Sequence, residues 1–141
     1  MSGAVARPWL VLTGLALGVT VTNGFARFAY GLILPAMKSE MGWTYAQAGW
    51  LNTANAMGYI AGALLTMALI RHVAPTRLFA IGLVATTLAL LATGLHAALW
   101  WQTLWRIVAG VVGAMSFSTA GALAAGLFQG DPRRNALAIA I

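Results

Sequence analysis

Residues 9–37 read WLVLTGLALGVTVTNGFARFAYGLILPAM, and this run decides the fold class. Its first half is oily enough for the hydrocarbon core of a bilayer, where a helical span needs about 20 predominantly apolar residues. The run is too long for the apolar region of a signal peptide. We therefore interpret it as a retained first membrane span that follows a single basic residue, Arg7.

The composition also indicates a polytopic membrane protein. Of the 141 residues, 61% are hydrophobic and only 7% are charged, and the mean hydropathy is +0.85. A soluble domain carries about 25% charged residues. A chain with so few charges cannot cover itself with a hydrated surface, so we expect the lipid bilayer to be its main surrounding.

Three further apolar runs follow, so that the predicted spans cover about 9–37, 44–70, 78–99 and 105–128, and a fifth begins at about 136. No run alternates as the ten-residue strands of a membrane barrel do. The predicted fold class is all-α, a polytopic transmembrane helix bundle with four complete spans and the start of a fifth. The predicted short connections are KSEMGW, RHVAPTR, HAALWWQ and QGDPRRN.

The basic residues predict the orientation of the bundle. With the N-terminus in the cytoplasm, the cytoplasmic side holds five arginines, whereas the outer side holds only Lys38, close to Glu40. Such an excess of positive charge in the cytoplasmic connections is the usual signal of membrane topology. The five are Arg7, Arg71, Arg77, Arg133 and Arg134.

Several function classes are excluded by what the chain lacks. Its net charge of +6 is scattered between apolar runs and is not gathered on one face, so we expect no nucleic-acid partner. The chain has no cysteine, two acidic residues (Glu40 and Asp131) and two histidines (His72 and His96). We therefore expect no metal site, no cofactor and no enzymatic nucleophile–base pair.

Small residues recur at close spacing in three of the four runs and predict tightly packed helices, because such spacing lets helix backbones approach in lipid. They are Gly14 and Gly18, Gly58 and Gly62, and Gly110, Gly113 and Ala114.

Polar residues in the first run predict a binding face. Asn23, Arg27 and Tyr30 follow the spacing i, i+4, i+7, which places them on one side of a helix. Arg27 lies about 15 Å before Met37 at helical rise, too far for its side chain to reach the headgroups comfortably. A charge at such depth is usually turned toward a partner or a wet cavity. We therefore predict that these three residues bind substrate.

The second run carries a matching polar stripe. Asn55 lies near its middle and is the fourth predicted substrate-binding residue, although hydrogen bonding between helices explains an asparagine there equally well. The stripe consists of Asn52, Asn55, Tyr59, Gly62 and Thr66.

Arg106 lies near the outer end of the fourth run, where its side chain can either reach the headgroups or turn inward. It shares a helical face with Gly110, Gly113 and Phe117, which favours the inward direction. Because arginine stays charged at physiological pH, these helices supply fixed positive charge that suits an anionic ligand. Coupling to protons would need His96 or a group outside the four runs.

Two stretches resemble the major facilitator superfamily of transporters, in its YbfB/YjiJ branch. They are ARFAYGLILPAM…MGWTYAQAGWLNTANAMGYIAGALL, from Ala26 to Leu65, and LWRIVAGVVGA, from Leu104 to Ala114. The resemblance implies the N-terminal part of a six-helix domain, in the inner membrane of a bacterial cell. It also implies secondary active transport of small organic solutes by alternating access, coupled to protons or another ion, with an energy-coupling role for Arg106.

The chain departs from the family pattern between the second and third runs. Members usually carry a charged Gly…Asp-Arg-x-Gly-Arg-Arg latch there, whereas this sequence reads MALIRHVAPTR. Arg71 stands where the aspartate is expected, Ala74 replaces a glycine, and only Arg77 keeps the basic end. The latch is therefore not carried over.

Transporters of this type have two six-helix halves that rock around a central site, whereas this chain stops early in the fifth run. We expect a fragment or truncated product that lacks the remainder of the transporter and does not transport alone.

Two alternatives to a partial transporter stay open. One is a small four-helix exporter that works as an oligomer, although the chain lacks the intramembrane glutamate of small multidrug resistance proteins. The other is a non-transporting assembly subunit whose polar residues only hold helices together.

Overall fold

The computed structural model describes residues 7–128 and 131–140, except for the side chains at positions 25, 26, 27, 29 and 139. The regular secondary structure of the described residues is entirely helical, so the all-α prediction is confirmed there. The elements are α1 (Pro8–Val19), a π-helical segment (Thr20–Ala29), α2 (Tyr30–Met41), α3 (Tyr45–Leu69), α4 (Pro75–Thr93), α5 (Leu99–Leu127) and α6 (Pro132–Ala140).

Helix α5 is the centre of the bundle. Helices α3 and α4 pack along most of its length, and α1, α6 and the π-helical segment also contact it. Its buried face is built largely from small residues, which let neighbouring backbones come close. A separate apolar core joins α1, α5 and α6 at one end of the bundle, and its buried members are Leu12, Leu15, Ala120, Ala124, Phe128 and Ala138.

Glycines bring the backbones of α3 and α5 into direct contact. A Cβ atom on Gly58 would collide with the carbonyl oxygen of Ile107, and one on Gly62 would collide with that of Val111. A Cβ on Gly110 would in turn collide with the α3 backbone. The close packing predicted for these glycines is confirmed.

The glycine prediction is wrong for part of the first helix, the continuous element that α1, the π-helical segment and α2 form. A Cβ on Gly14 would meet nothing within 4 Å, and one on Gly18 would meet the Phe79 side chain of α4 at 2.7 Å. Helix α4 instead approaches α5 through Gly82, where a Cβ would collide with Ser116 Oγ. The reason is that a glycine marks a close contact only when its face of the helix meets another backbone.

The last three helices begin earlier than the predicted runs, and α4 ends before its predicted limit. Instead of 78–99 and 105–128, the third and fourth helices cover Pro75–Thr93 and Leu99–Leu127, and the last begins at Pro132 instead of about 136. An apolar run does not register the polar or aromatic first turn of a helix, and it can also continue past the last turn, as the predicted run does between Thr93 and Leu99. Proline in the first turn starts α4 and α6, because its missing N–H is not needed there.

Local signals explain the sharp turn between α2 and α3. Gly42 has a positive φ of 64°, a conformation that glycine adopts without strain, and the Trp43 N–H donates to the Lys38 carbonyl at 3.1 Å. Helix α3 then opens with a capping box, in which Thr44 and Gln47 satisfy each other's backbone N–H groups.

Two of the described helices, α4 and α5, are long and apolar enough to cross a bilayer by length and composition. Helix α3 has 25 residues, but polar side chains in its first half lower its hydropathy, and the first helix is divided by its π-helical segment. Four complete spans therefore stay a prediction. Bulky apolar side chains cover the outside of the bundle, among them Leu32, Leu64, Met67, Val84, Leu91 and Leu95.

The π-helical segment occupies the polar middle of the first helix. Two threonines at its start satisfy their hydroxyl groups within the same helix. Thr22 Oγ1 donates to the Gly18 carbonyl at 3.0 Å, and Thr20 Oγ1 donates to the Ala16 carbonyl at 2.9 Å. These hydroxyls therefore need no partner from lipid, which can offer none.

Candidate substrate-binding site

A cation lies buried in the centre of the bundle. The Arg106 side chain of α5 is only 1% exposed, and its Cζ lies 3.6 Å from the centroid of the Tyr30 ring, which is 7% exposed. A desolvated cation–π contact of this kind stabilises by about 2 kcal/mol. Arg106 therefore points into the helix contact, as its shared face with Gly110 predicts.

Asn55 joins α3 to α5 at the level of this cation. Its side chain is buried, and its Nδ2 donates to the backbone carbonyl of Arg106 at 2.9 Å. The glycine contacts at Gly58 and Gly110 hold the two helices close enough for an asparagine to reach across. Of the two interpretations of Asn55, hydrogen bonding between helices is observed, and substrate contact stays a prediction.

Tyr30 offers a hydroxyl group inside the bundle. Its Oη is buried and has no hydrogen-bond partner among the described residues. A buried hydroxyl without a partner costs about 1–3 kcal/mol. The hydroxyl belongs to the ring that Arg106 covers, so a ligand oxygen that reaches Tyr30 Oη lies near a permanent positive charge. The arrangement is therefore suited to an anionic oxygen.

The other predicted residues of the first helix are placed differently. Asn23 is half-buried, and its Nδ2 donates to Thr22 Oγ1 at 3.3 Å within the π-helical segment. The backbone of Arg27 belongs to the same segment, but its side chain lies outside the described residues. The prediction that Arg27 faces a wet cavity stays a prediction, as does the substrate-binding role of Asn23.

The polar stripe of α3 is buried only in part. Asn55, Gly62 and Thr66 are buried and Tyr59 is half-buried, whereas Asn52 is exposed. The Thr66 hydroxyl donates to the Gly62 carbonyl of its own helix at 2.7 Å. From Asn55 onward the stripe therefore faces α5, whereas Asn52, which precedes Asn55 by nearly one turn, faces outward.

Sequence reasoning missed the pairing of Tyr30 with Arg106. The predicted fourth span starts at 105 and so places Arg106 at its outer end, whereas α5 begins at Leu99, about 10 Å before Arg106 along the helix. Tyr30 also lies about 10 Å before Met37, the predicted end of the first span. Equal depth in the two helices is the signal that would have suggested the contact.

Comparison with known families settles the class of the chain. A family model described as "Uncharacterised MFS-type transporter YbfB" matches residues 19–141. The chain belongs to this family. The resemblance to the YbfB branch is thereby confirmed, and the chain is assigned to the membrane proteins of the MFS type. No curated protein and no solved structure matches it.

The match to the YbfB family includes the whole candidate site. Tyr30, Asn55 and Arg106 all lie within the matched residues, as do α2 to α5 complete. Family membership supports a transport function for the chain. The roles of the individual residues in that function stay predictions.

Proposed function

We propose that the chain acts in secondary active transport of small organic anions, and that its helices line one side of the substrate path of an MFS-type transporter. In this proposal the first helix and α3 to α5 are four complete spans with the N-terminus in the cytoplasm. The observation that carries the proposal is the buried Arg106 guanidinium on the Tyr30 ring, beside a hydroxyl that is buried among helices.

The charge distribution supports an anionic substrate. The chain has only two acidic residues, and both lie at helix ends. Glu40 is in the last turn of α2, and Asp131 precedes α6, where it pairs with Arg134 at 3.2 Å. The interior of the bundle therefore carries positive charge. Arginine presents a planar set of donors that matches a carboxylate, and Tyr30 Oη adds one more donor.

The packing of α5 supports a coupling role for Arg106. Alternating access moves the walls of the bundle around a central site. Helix α5 contacts α1, α3, α4 and α6, and Arg106 meets the first helix through Tyr30 and α3 through Asn55. An anion that draws on the guanidinium changes its contact with the Tyr30 ring, at a residue whose backbone carbonyl also holds α3 through Asn55. Binding at this residue can therefore bias the packing of the helices, which is what coupling of binding to motion needs.

Transport by cells that carry the gene at its own locus tests the proposal. Membrane vesicles from these cells and from a deletion strain are supplied with labelled small organic acids, including benzoate and succinate. We expect gene-dependent accumulation of at least one acid. Replacing Tyr30 with Phe keeps the ring under Arg106 and removes only the hydroxyl, so transport should fall about tenfold or more, as for a lost hydrogen bond to a charged group.

A Tyr45→Phe variant is the matched control, because Tyr45 is 83% exposed at the start of α3. It should transport like the parent protein. Vesicles that show no gene-dependent uptake of any organic acid, or a Tyr30→Phe variant with full activity, would overturn the proposal. An Arg106→Met variant that is more stable and keeps its cellular effect would instead support a purely structural role for the cation.

A further inference from the structure

A second cleft lies at the end of the bundle where α2 stops and the α4–α5 connection begins. Its volume is about 340 Å³, within the range of small-molecule sites. It is distinct from the candidate substrate-binding site, because Tyr30, Asn55 and Arg106 are not among its lining residues. The lining residues with polar or sulfur atoms in their side chains are Met37, Met41, Thr93, His96 and Gln102.

Gln102 gives the cleft a buried hydrogen-bond acceptor. Its side chain is 1% exposed, and its Nε2 donates to the carbonyls of Thr93 at 2.6 Å and His96 at 2.8 Å. These contacts decide which end of the amide is nitrogen, because an oxygen there would face two acceptors. The Oε1 atom is left buried, with no hydrogen-bond partner in the part of the chain that the structure describes.

The remaining lining narrows the chemistry of a ligand. None of the lining residues is Asp, Glu, Lys or Arg, so a charged ligand would lose its hydration without gaining a counter-charge. The Nδ1 atom of His96 accepts the Ala98 N–H at 3.0 Å, so the neutral ring carries its proton on Nε2. The thioethers of Met37 and Met41 favour contact with an aromatic ring.

We propose that this cleft binds a neutral aromatic molecule that carries one N–H or O–H donor. The donor bonds to Gln102 Oε1, and the ring packs against Met37 and Met41. Indoles, phenols and anilines have this chemistry. The proposal is independent of the transport function, since Gln102 precedes Arg106 by one helical turn and its side chain donates to the carbonyls of Thr93, at the end of α4, and of His96, in the α4–α5 connection.

Fluorine NMR of a fluoroindole, titrated into the purified protein in lipid nanodiscs, tests the proposal. Empty nanodiscs provide the blank for partitioning into lipid. We expect saturable binding that exceeds the blank. The same indole methylated on nitrogen keeps its ring but loses its donor, so it should bind about 5- to 30-fold more weakly, as expected when a buried acceptor loses its partner.

A variant that fills the cleft separates this site from other binding. Ala97 lines the cleft and is exposed, so Ala97→Leu adds bulk there without removing a hydrogen bond. It should abolish saturable binding, whereas Ala80→Leu, an exposed position near the other end of α4, should leave it unchanged. Binding no greater than the blank, equal binding of the methylated indole, or full binding by a folded Ala97→Leu variant would each overturn the proposal.

Discussion

The contact between α3 and α5 makes a sharp prediction at Gly62. A Cβ atom there would lie 2.6 Å from Val111 Cα and 2.7 Å from Val111 C, whereas carbon atoms pack at about 3.5–4.0 Å. The obstacle is backbone and cannot rotate away, so Gly62→Ala must push the helices apart by about 1 Å.

The cost of this separation can be worked from the contacts. Overpacking costs about 1–3 kcal/mol. A shift of about 1 Å also stretches the 2.9 Å hydrogen bond from Asn55 to α5 beyond useful length, which adds about 0.6–1.7 kcal/mol. Alanine recovers about 1 kcal/mol through its higher helix propensity. We expect Gly62→Ala to lower the free energy of unfolding by about 2 kcal/mol.

Reversible unfolding by SDS in mixed micelles, followed by circular dichroism, measures this difference. The matched control is Gly49→Ala in the same helix, where a Cβ would meet nothing within 4 Å. The control should be as stable as the parent protein or up to about 1 kcal/mol more stable. If the two alanine variants unfold at the same SDS fraction, α3 and α5 do not approach as closely as described.

Three further predictions concern neighbouring features. Asn55→Ala should lower the free energy of unfolding by about 1 kcal/mol in the same titration, because the Arg106 carbonyl loses its donor; an unchanged value would show that this bond does not contribute. Gln102→Leu should lower the free energy of unfolding by about 2 kcal/mol and speed hydrogen exchange in the α4–α5 connection, since two carbonyls lose their donor; unaltered exchange would show that these two hydrogen bonds do not hold the connection. The chain has no cysteine, so single-cysteine variants report topology without background. In intact cells an impermeant maleimide should label Ala97→Cys and leave Thr76→Cys unlabelled, and the reverse pattern would contradict a cytoplasmic N-terminus.

Hydropathy was sufficient to predict the helices of the described chain but not their ends. The end turns are held by features that an apolar run does not register, such as proline at Pro75 and Pro132. At the start of α5, Trp101 Nε1 donates to the Ala92 carbonyl at 2.7 Å, and Gln102 donates to that of Thr93. These side chains cap α4 from the next helix, a long-range arrangement that spacing along the chain cannot reveal.

The candidate site was predictable in its residue types and only partly in its geometry. The glycines beside Arg106 indicated correctly that its side chain turns inward. The spacing of Tyr30 from Arg27 suggested a shared face, yet the described contact of Tyr30 is with Arg106. The π-helical segment also went unpredicted, because a change in hydrogen-bond register leaves no hydrophobic period to detect.

The same segment makes the first helix tolerant of changes in length. Hydrogen bonds that close over five residues take up more chain per turn than those that close over four. Deleting one residue between Thr20 and Ala29 can therefore be absorbed by rewinding, with the faces of α1 and α2 kept in phase. The same deletion inside α5 meets no π-helical segment that could rewind. It would therefore turn every later side chain by about 100° around the helix axis.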